Sequence, residues 1–195
     1  SISNGLQVLG GYGFCTDYDL EQYYRDIRIM SIYEGTTGIQ SLDLMGRKII
    51  MKNGAAMKLL IEEFKETIHS AINYDELKPY AEHFKTNSKE LGEVIMKLLG
   101  FAMKGDHERY ISDATIFMEY MSTIVVAWQW LKMATVAKTL LVSGNNTYSK
   151  EFYEKKIHTM KFYFKYELSR TNGIKNILLH PESLTIIEKE EKVFI

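Results

Sequence analysis

A chain of 195 residues, 46% of them hydrophobic, is long enough for one substantial domain, or for one domain and part of another. Its 24 basic and 25 acidic residues nearly cancel, which leaves no overall field to draw it toward nucleic acid or an anionic membrane. The single Cys15 excludes an internal disulfide and suits a reducing compartment. The most apolar run, Tyr120 to Leu131, falls short of the roughly 20 residues that cross a bilayer, so a soluble protein is expected. Ser1 to Gly5 has neither the basic stretch nor the apolar run of a secretory signal. With no initial methionine, the chain reads as a piece of a longer polypeptide.

Eight of the thirteen glycines lie at or before Gly54, so the first quarter is expected to mix short helices with tight turns. Beyond it, Met57, Leu60, Ile61, Phe64, Ile68 and Ile72 follow helical spacing, and Leu91, Val94, Ile95, Leu98, Leu99 and Met103 repeat it. Asp106 is placed to cap a longer helix carrying Tyr110, Ala114, Phe117, Met121, Val125, Trp128 and Leu131 on one stripe. That helix should stop near Ser143-Gly144-Asn145-Asn146. Another is expected from about Ser149 through Lys165, and a small terminal one between Ser183 and Val193. The pattern predicts an all-α protein built as an antiparallel helical bundle. Met51-Lys52-Asn53-Gly54 is the linker-like point, giving domains 1–52 and 53–195.

Three segments of the first quarter invite a chemical reading. Gln7-Val8-Leu9-Gly10-Gly11-Tyr12-Gly13-Phe14 has glycines that let a backbone approach a phosphate, but no strand precedes it and Thr16 stands where a dinucleotide fingerprint needs glycine. The plainer reading is a helix ending in a left-handed glycine. In Tyr24-Arg25-Asp26-Ile27-Arg28-Ile29 the two arginines and Asp26 are expected to form ion pairs that fix a short helix. In Tyr33-Glu34-Gly35-Thr36-Thr37-Gly38-Ile39-Gln40 a glutamate precedes a turn whose threonines can cap the next helix; periodicity alone does not make it a catalyst. The five histidines show no metal-ligand spacing, and no metal site is expected.

Taken together, in this order and at this spacing, the three segments resemble the end of the acyl-CoA dehydrogenase catalytic region. The continuation Thr37-Gly38-Ile39-Gln40-Ser41-Leu42-Asp43-Leu44-Met45-Gly46-Arg47-Lys48 is similar to the larger bacterial branch, the long-chain-type and methylthiopropanoyl-CoA dehydrogenases, which carries an additional helical domain. Residues from about Gly54 onward look like that extension. The resemblance implies an FAD-dependent oxidoreductase of fatty acid β-oxidation that converts acyl-CoA thioesters to trans-2-enoyl-CoA. It implies that Glu34 is the catalytic base, and that Tyr33 and Gly35 line the acyl-CoA pocket. Thr36, Thr37 and Gly38 would approach the FAD of the same subunit; Gln7, Val8, Leu9, Gly10 and Gly11 would contact the FAD of a neighbouring subunit. Electron-transfer flavoprotein is the implied partner, a dimer or tetramer the implied assembly, and the cytoplasm the implied location. The family's amino-terminal helical and middle β-domains are not in these residues, so the chain alone is expected to be inactive and not to hold FAD tightly. The competing reading is a noncatalytic helical oligomerisation or interaction module, favoured by the long apolar helix from Tyr110 to Leu141.

Overall fold

The computed structural model describes residues 2–33, 35–144 and 147–186. Among them there are helices and turns but no strand, and they divide into two compact units, Ser1–Ser41 and Leu42–Ile195. Residues 42–52 thus pack with the second unit. The family of short elements expected in the first quarter comprises α1 (Ile2–Leu9), a 3-10 turn (Gly10–Phe14), α2 (Leu20–Arg28) and α3 (Thr37–Asp43).

In the second unit α4 (Met51–Ala71), α5 (Lys78–Met103), α7 (Ala114–Ser143) and α8 (Lys150–Tyr166) run alternately up and down, with short α6 (His107–Ile111) before α7 and α9 (Thr171–Leu178) after α8. Short connections force each long helix to return along its predecessor. The most central is α7, which packs on α4, α5, α8 and α9. It is apolar around most of its circumference, as a helix with neighbours on several sides should be.

The core is largely aromatic. Phe64 of α4 meets Phe84 of α5 edge-on at 5.0 Å and Trp128 of α7 at 5.2 Å, and Phe84 reaches Phe164 of α8 at 6.5 Å. The Trp128 indole N–H donates to Thr67 Oγ1 at 2.7 Å, and that hydroxyl donates to the Glu63 carbonyl at 3.0 Å, so a half-polar side chain is partly buried with its donor satisfied. Met45 and Ile49, from the turn that precedes α4, join this core, and the Tyr110 hydroxyl donates to the Met45 carbonyl at 2.6 Å.

The caps obey the sequence signals at three helix ends. Asp106 accepts the Arg109 amide at 3.1 Å, Ser149 Oγ accepts the Phe152 amide at 3.3 Å, and α7 closes at Gly144, whose amide reaches the Leu140 carbonyl. One expected helix is two. The stripe from Tyr110 to Leu131 breaks after Ile111: the Ser112 hydroxyl folds back on the Arg109 carbonyl, and Asp113, at φ −107° and ψ 28°, starts α7 by accepting the Phe117 amide at 2.9 Å. Residues 183–186 form no helix, and the rest of the expected terminal helix lies outside the described residues.

Lys52, Asn53 and Gly54 all adopt left-handed backbone angles, so the regular right-handed part of α4 begins only after them. No helix of the described residues is long and apolar enough to cross a membrane.

Candidate active site

Every candidate site residue belongs to the first unit. Gln7, Val8 and Leu9 form the last turn of α1, and Gly10 and Gly11 open the 3-10 turn that follows. Gly10 takes φ +58°, the left-handed helix end the sequence suggests. The turn then folds back so tightly that a Cβ on Gly13 would lie 2.6 Å from the Leu6 carbonyl oxygen, so the close approach falls on Gly13. Gly11 has nothing within 4 Å of an added Cβ, and open space lies over that stretch of backbone.

Gln7 and Gly10 line a groove of about 400 Å³ together with Ser3, Leu6, Phe14 and Tyr24. Positions 3, 6, 7 and 10 share one helical face, and that spacing could have placed Ser3 and Leu6 beside Gln7 from the sequence alone. Tyr24 comes from α2, and no local pattern points to it. Val8, on the other face, is 86% exposed.

The second set surrounds the start of α3. Gly35 sits at φ +105°, where only glycine is at ease, and a Cβ there would stand 3.0 Å from Nε2 of the Gln40 side chain. The Thr36 carbonyl accepts the Gln40 amide at 3.0 Å and so opens the helix; Thr37 is its first residue. The Gly38 carbonyl accepts the Ser41 hydroxyl at 2.7 Å. Tyr33 is half-exposed and its hydroxyl turns to the Met30 sulfur at 3.1 Å. Glu34 lies outside the described residues. Among those that are described, α1 and its turn pack on each other and on α2, and no comparable packing joins them to α3. The residues therefore gather into two groups rather than one.

Between the groups, Arg25 clasps Glu21 with two hydrogen bonds of 2.9 and 3.1 Å, one helical turn apart. The bond to the Glu21 carboxylate holds the guanidinium pKa above its ordinary value. Arg28 donates to the Ser31 hydroxyl at 2.5 Å, and Asp26 acts on Arg25 only through space, so the expected ion-pair trio is one pair and one neutral bond. No three His, Cys, Asp or Glu side chains come together as a metal site among the described residues.

Two family models cover the chain. Acyl-CoA dehydrogenase, C-terminal domain, matches residues 2–50, and acetyl-CoA dehydrogenase C-terminal like matches residues 60–186. A broad-specificity linear acyl-CoA dehydrogenase of Mycobacterium tuberculosis is 28% identical over 99% of this chain and 32% of its own length. A 3-methylmercaptopropionyl-CoA dehydrogenase of Ruegeria pomeroyi is 31% identical over 80% of this chain and 26% of its own. The mitochondrial short-chain specific acyl-CoA dehydrogenase of Rattus norvegicus is 54% identical over 41 residues, 21% of this chain and 10% of its own length. The chain thus spans about a third or less of these relatives. With one model on the glycine-rich unit and its continuation, and the other on most of the bundle, the chain belongs to the acyl-CoA dehydrogenase family.

Proposed function

We propose that the chain supplies the final part of the catalytic region of an FAD-dependent acyl-CoA dehydrogenase, followed by a helical extension beginning near residue 53. The carrying observation is the order and spacing of the three motifs within residues 2–50, the stretch matched by the catalytic C-terminal family model. Glu34 is the base that removes the proton next to the thioester carbonyl. A carboxylate there becomes a stronger base once the apolar acyl chain has driven water away. The backbone amide of Glu34 donates to the thioester oxygen and stabilises the enolate as it develops. Tyr33 and Gly35 flank the acyl group.

FAD, when bound, would supply the acceptor for the hydride leaving the adjacent carbon. Thr36, Thr37 and Gly38 hold the cofactor of their own subunit; Gln7, Val8, Leu9, Gly10 and Gly11 hold the diphosphate and adenosine side of a neighbour's. Two observations suit this assignment: the residues fall into two groups, and the groove beside Gln7 and Gly10 is open, with free space where a Cβ on Gly11 would stand. They form an edge rather than an enclosure, which accords with weak cofactor binding by the chain alone. The reading further takes acyl-CoA as substrate, electron-transfer flavoprotein as acceptor, a homo-oligomer as the working form and the cytoplasm as its location.

The test joins the chain to the amino-terminal and middle domains of its relatives and follows acyl-CoA oxidation with an artificial electron acceptor. Glu34→Gln should lower kcat by about 100-fold or more, the usual contribution of a positioned base, with FAD absorbance retained. Equal activity in that variant removes Glu34 from the role. A second reading, the noncatalytic assembly module, is favoured by Val126, Met133 and Val136, which stand 41%, 40% and 55% exposed along α7. Turnover that depends on Glu34 excludes it.

A further inference from the structure

A groove of about 660 Å³ lies between the start of α5 and the end of α8, far in sequence from the motifs above. Its lining consists of aromatic rings, two histidines, two lysines and Ser169, without one carboxylate. Phe164 forms the base, buried, with Tyr80 edge-on at 5.6 Å and His83 at 5.8 Å. These contacts hold both outer rings in place from below. Phe162 and Tyr166, also in the lining, lie with ring centres 4.7 Å apart, tilted by 44°, and remain half-exposed.

The charges are similarly arranged. Lys161 is held by Glu76 at 2.8 Å, but Glu76 is shared with Lys138. Lys165 reaches over the Tyr166 ring at 5.1 Å and makes no ion pair among the described residues. Neither the His83 nor the His158 imidazole has a hydrogen-bond partner among them. The carboxylates nearest in sequence are engaged elsewhere: Glu82 with Lys85, Glu154 with Lys150 and Glu167 with Arg170. In a chain whose charges nearly cancel, this groove places Lys165, two histidines without hydrogen-bond partners among the described residues, and Lys161, whose carboxylate is shared, beside half-exposed rings.

From this juxtaposition we infer that the α5–α8 groove binds a nucleoside phosphate. The base stacks against Phe162 and Tyr166, a sequence-tolerant contact available to any planar heterocycle. The phosphate meets Lys165 and Lys161, with His83 and His158 as hydrogen-bond donors, and phosphate gains most from such charge-assisted bonds. A ring without phosphate satisfies only one wall and an inorganic anion only the other.

Calorimetric titration of the chain with ADP, adenosine and inorganic pyrophosphate separates the contributions. ADP should saturate, and adenosine and pyrophosphate should each bind at least about tenfold more weakly, the size expected for losing one stack or one charged pair. The imidazole proton resonances of His83 and His158 should shift with ADP, and those of His69 and His107 should not. Lys165→Glu and Tyr166→Ala, both at exposed positions that leave the core intact, should each weaken ADP by about tenfold or more. Pyrophosphate binding as tightly as ADP would reduce the groove to a nonspecific cationic patch and overturn the inference. So would a lack of saturation by ADP, or wild-type affinity in both variants.

Discussion

In the second unit five large aromatic side chains are enclosed: Phe64, Phe84, Phe117, Tyr120 and Phe164 are all at most 2% exposed. In the first unit such side chains face outward. Phe14 is 89% exposed, Tyr12 69%, and Tyr23, Tyr24, Ile27 and Ile29 are each about half-exposed. Burying one such side chain is worth about 1.5–3 kcal/mol, so a bundle that encloses five has a stability source of its own, and a unit that encloses none does not. The difference is one of completeness. The bundle is a self-sufficient packing problem already solved, while the motif-bearing unit offers a surface that another surface must cover, as the proposed place in a larger catalytic domain requires.

The sharpest way to break this comparison is to remove one aromatic from each unit. Phe64→Ala leaves a void between α4, α5 and α7 and should cost about 3–5 kcal/mol, seen as a lower urea midpoint. Phe14→Ala should change stability by no more than about 0.5 kcal/mol. Equal losses would mean that the first unit also depends on its aromatic residues for its own fold.

A second substitution reaches a place where the first unit is tightly built. Gly13→Ala puts a methyl group 2.6 Å from the Leu6 carbonyl oxygen, and neither backbone can yield without opening the turn. Crowding of this kind costs about 1–3 kcal/mol. The loss should be local: amide exchange should accelerate in α1 and α2 and stay unchanged in α5 and α7.

How much of this could be read from residues alone depended on distance along the chain. Asp106, Ser149 and Gly144 act on residues three or four away, and their roles as helix ends were legible. The break at Ser112 and Asp113 was not, because the apolar positions on either side keep the helical period and the backbone turn leaves no gap in it. Nor was the Tyr110 bond to the Met45 carbonyl, whose partners stand 65 residues apart. The candidate site followed the same division. Gln7 and Gly10 were legible through their motif; Tyr24, the far wall of their groove, belongs to another helix and depended on the fold.

The boundary region gives a change of opposite sign. Lys52 and Asn53 sit at φ +49° and +56°, where an L side chain crowds its own carbonyl by about 1–2 kcal/mol. Lys52→Gly removes that crowding and should raise stability by about 0.5–1 kcal/mol, part of the gain being lost to the greater freedom of an unfolded glycine. A higher thermal midpoint checks it. A lower one would mean that the Lys52 side chain contributes more than its backbone strain costs.

The smallest effect tests the bundle's surface rather than its core. Glu76 accepts hydrogen bonds from Lys138 at 2.6 Å and from Lys161 at 2.8 Å, and these, the Lys138 bond first, hold its carboxyl below the ordinary value of 4.5. The folded state therefore binds this proton less readily than the unfolded one. Its contribution is fully present above about pH 4.5 and is lost as pH falls through the lower folded value. Because the carboxylate is 37% exposed, water screens the cluster, and the contribution should stay under about 1 kcal/mol. Glu76→Gln should lower the urea midpoint slightly at neutral pH, and the difference from the unaltered chain should shrink as pH falls through the lowered folded value, below which both side chains are neutral. A difference that persists undiminished in acid would assign the effect to packing at the α4–α5 turn, and the two lysines would then be holding a shape rather than a charge.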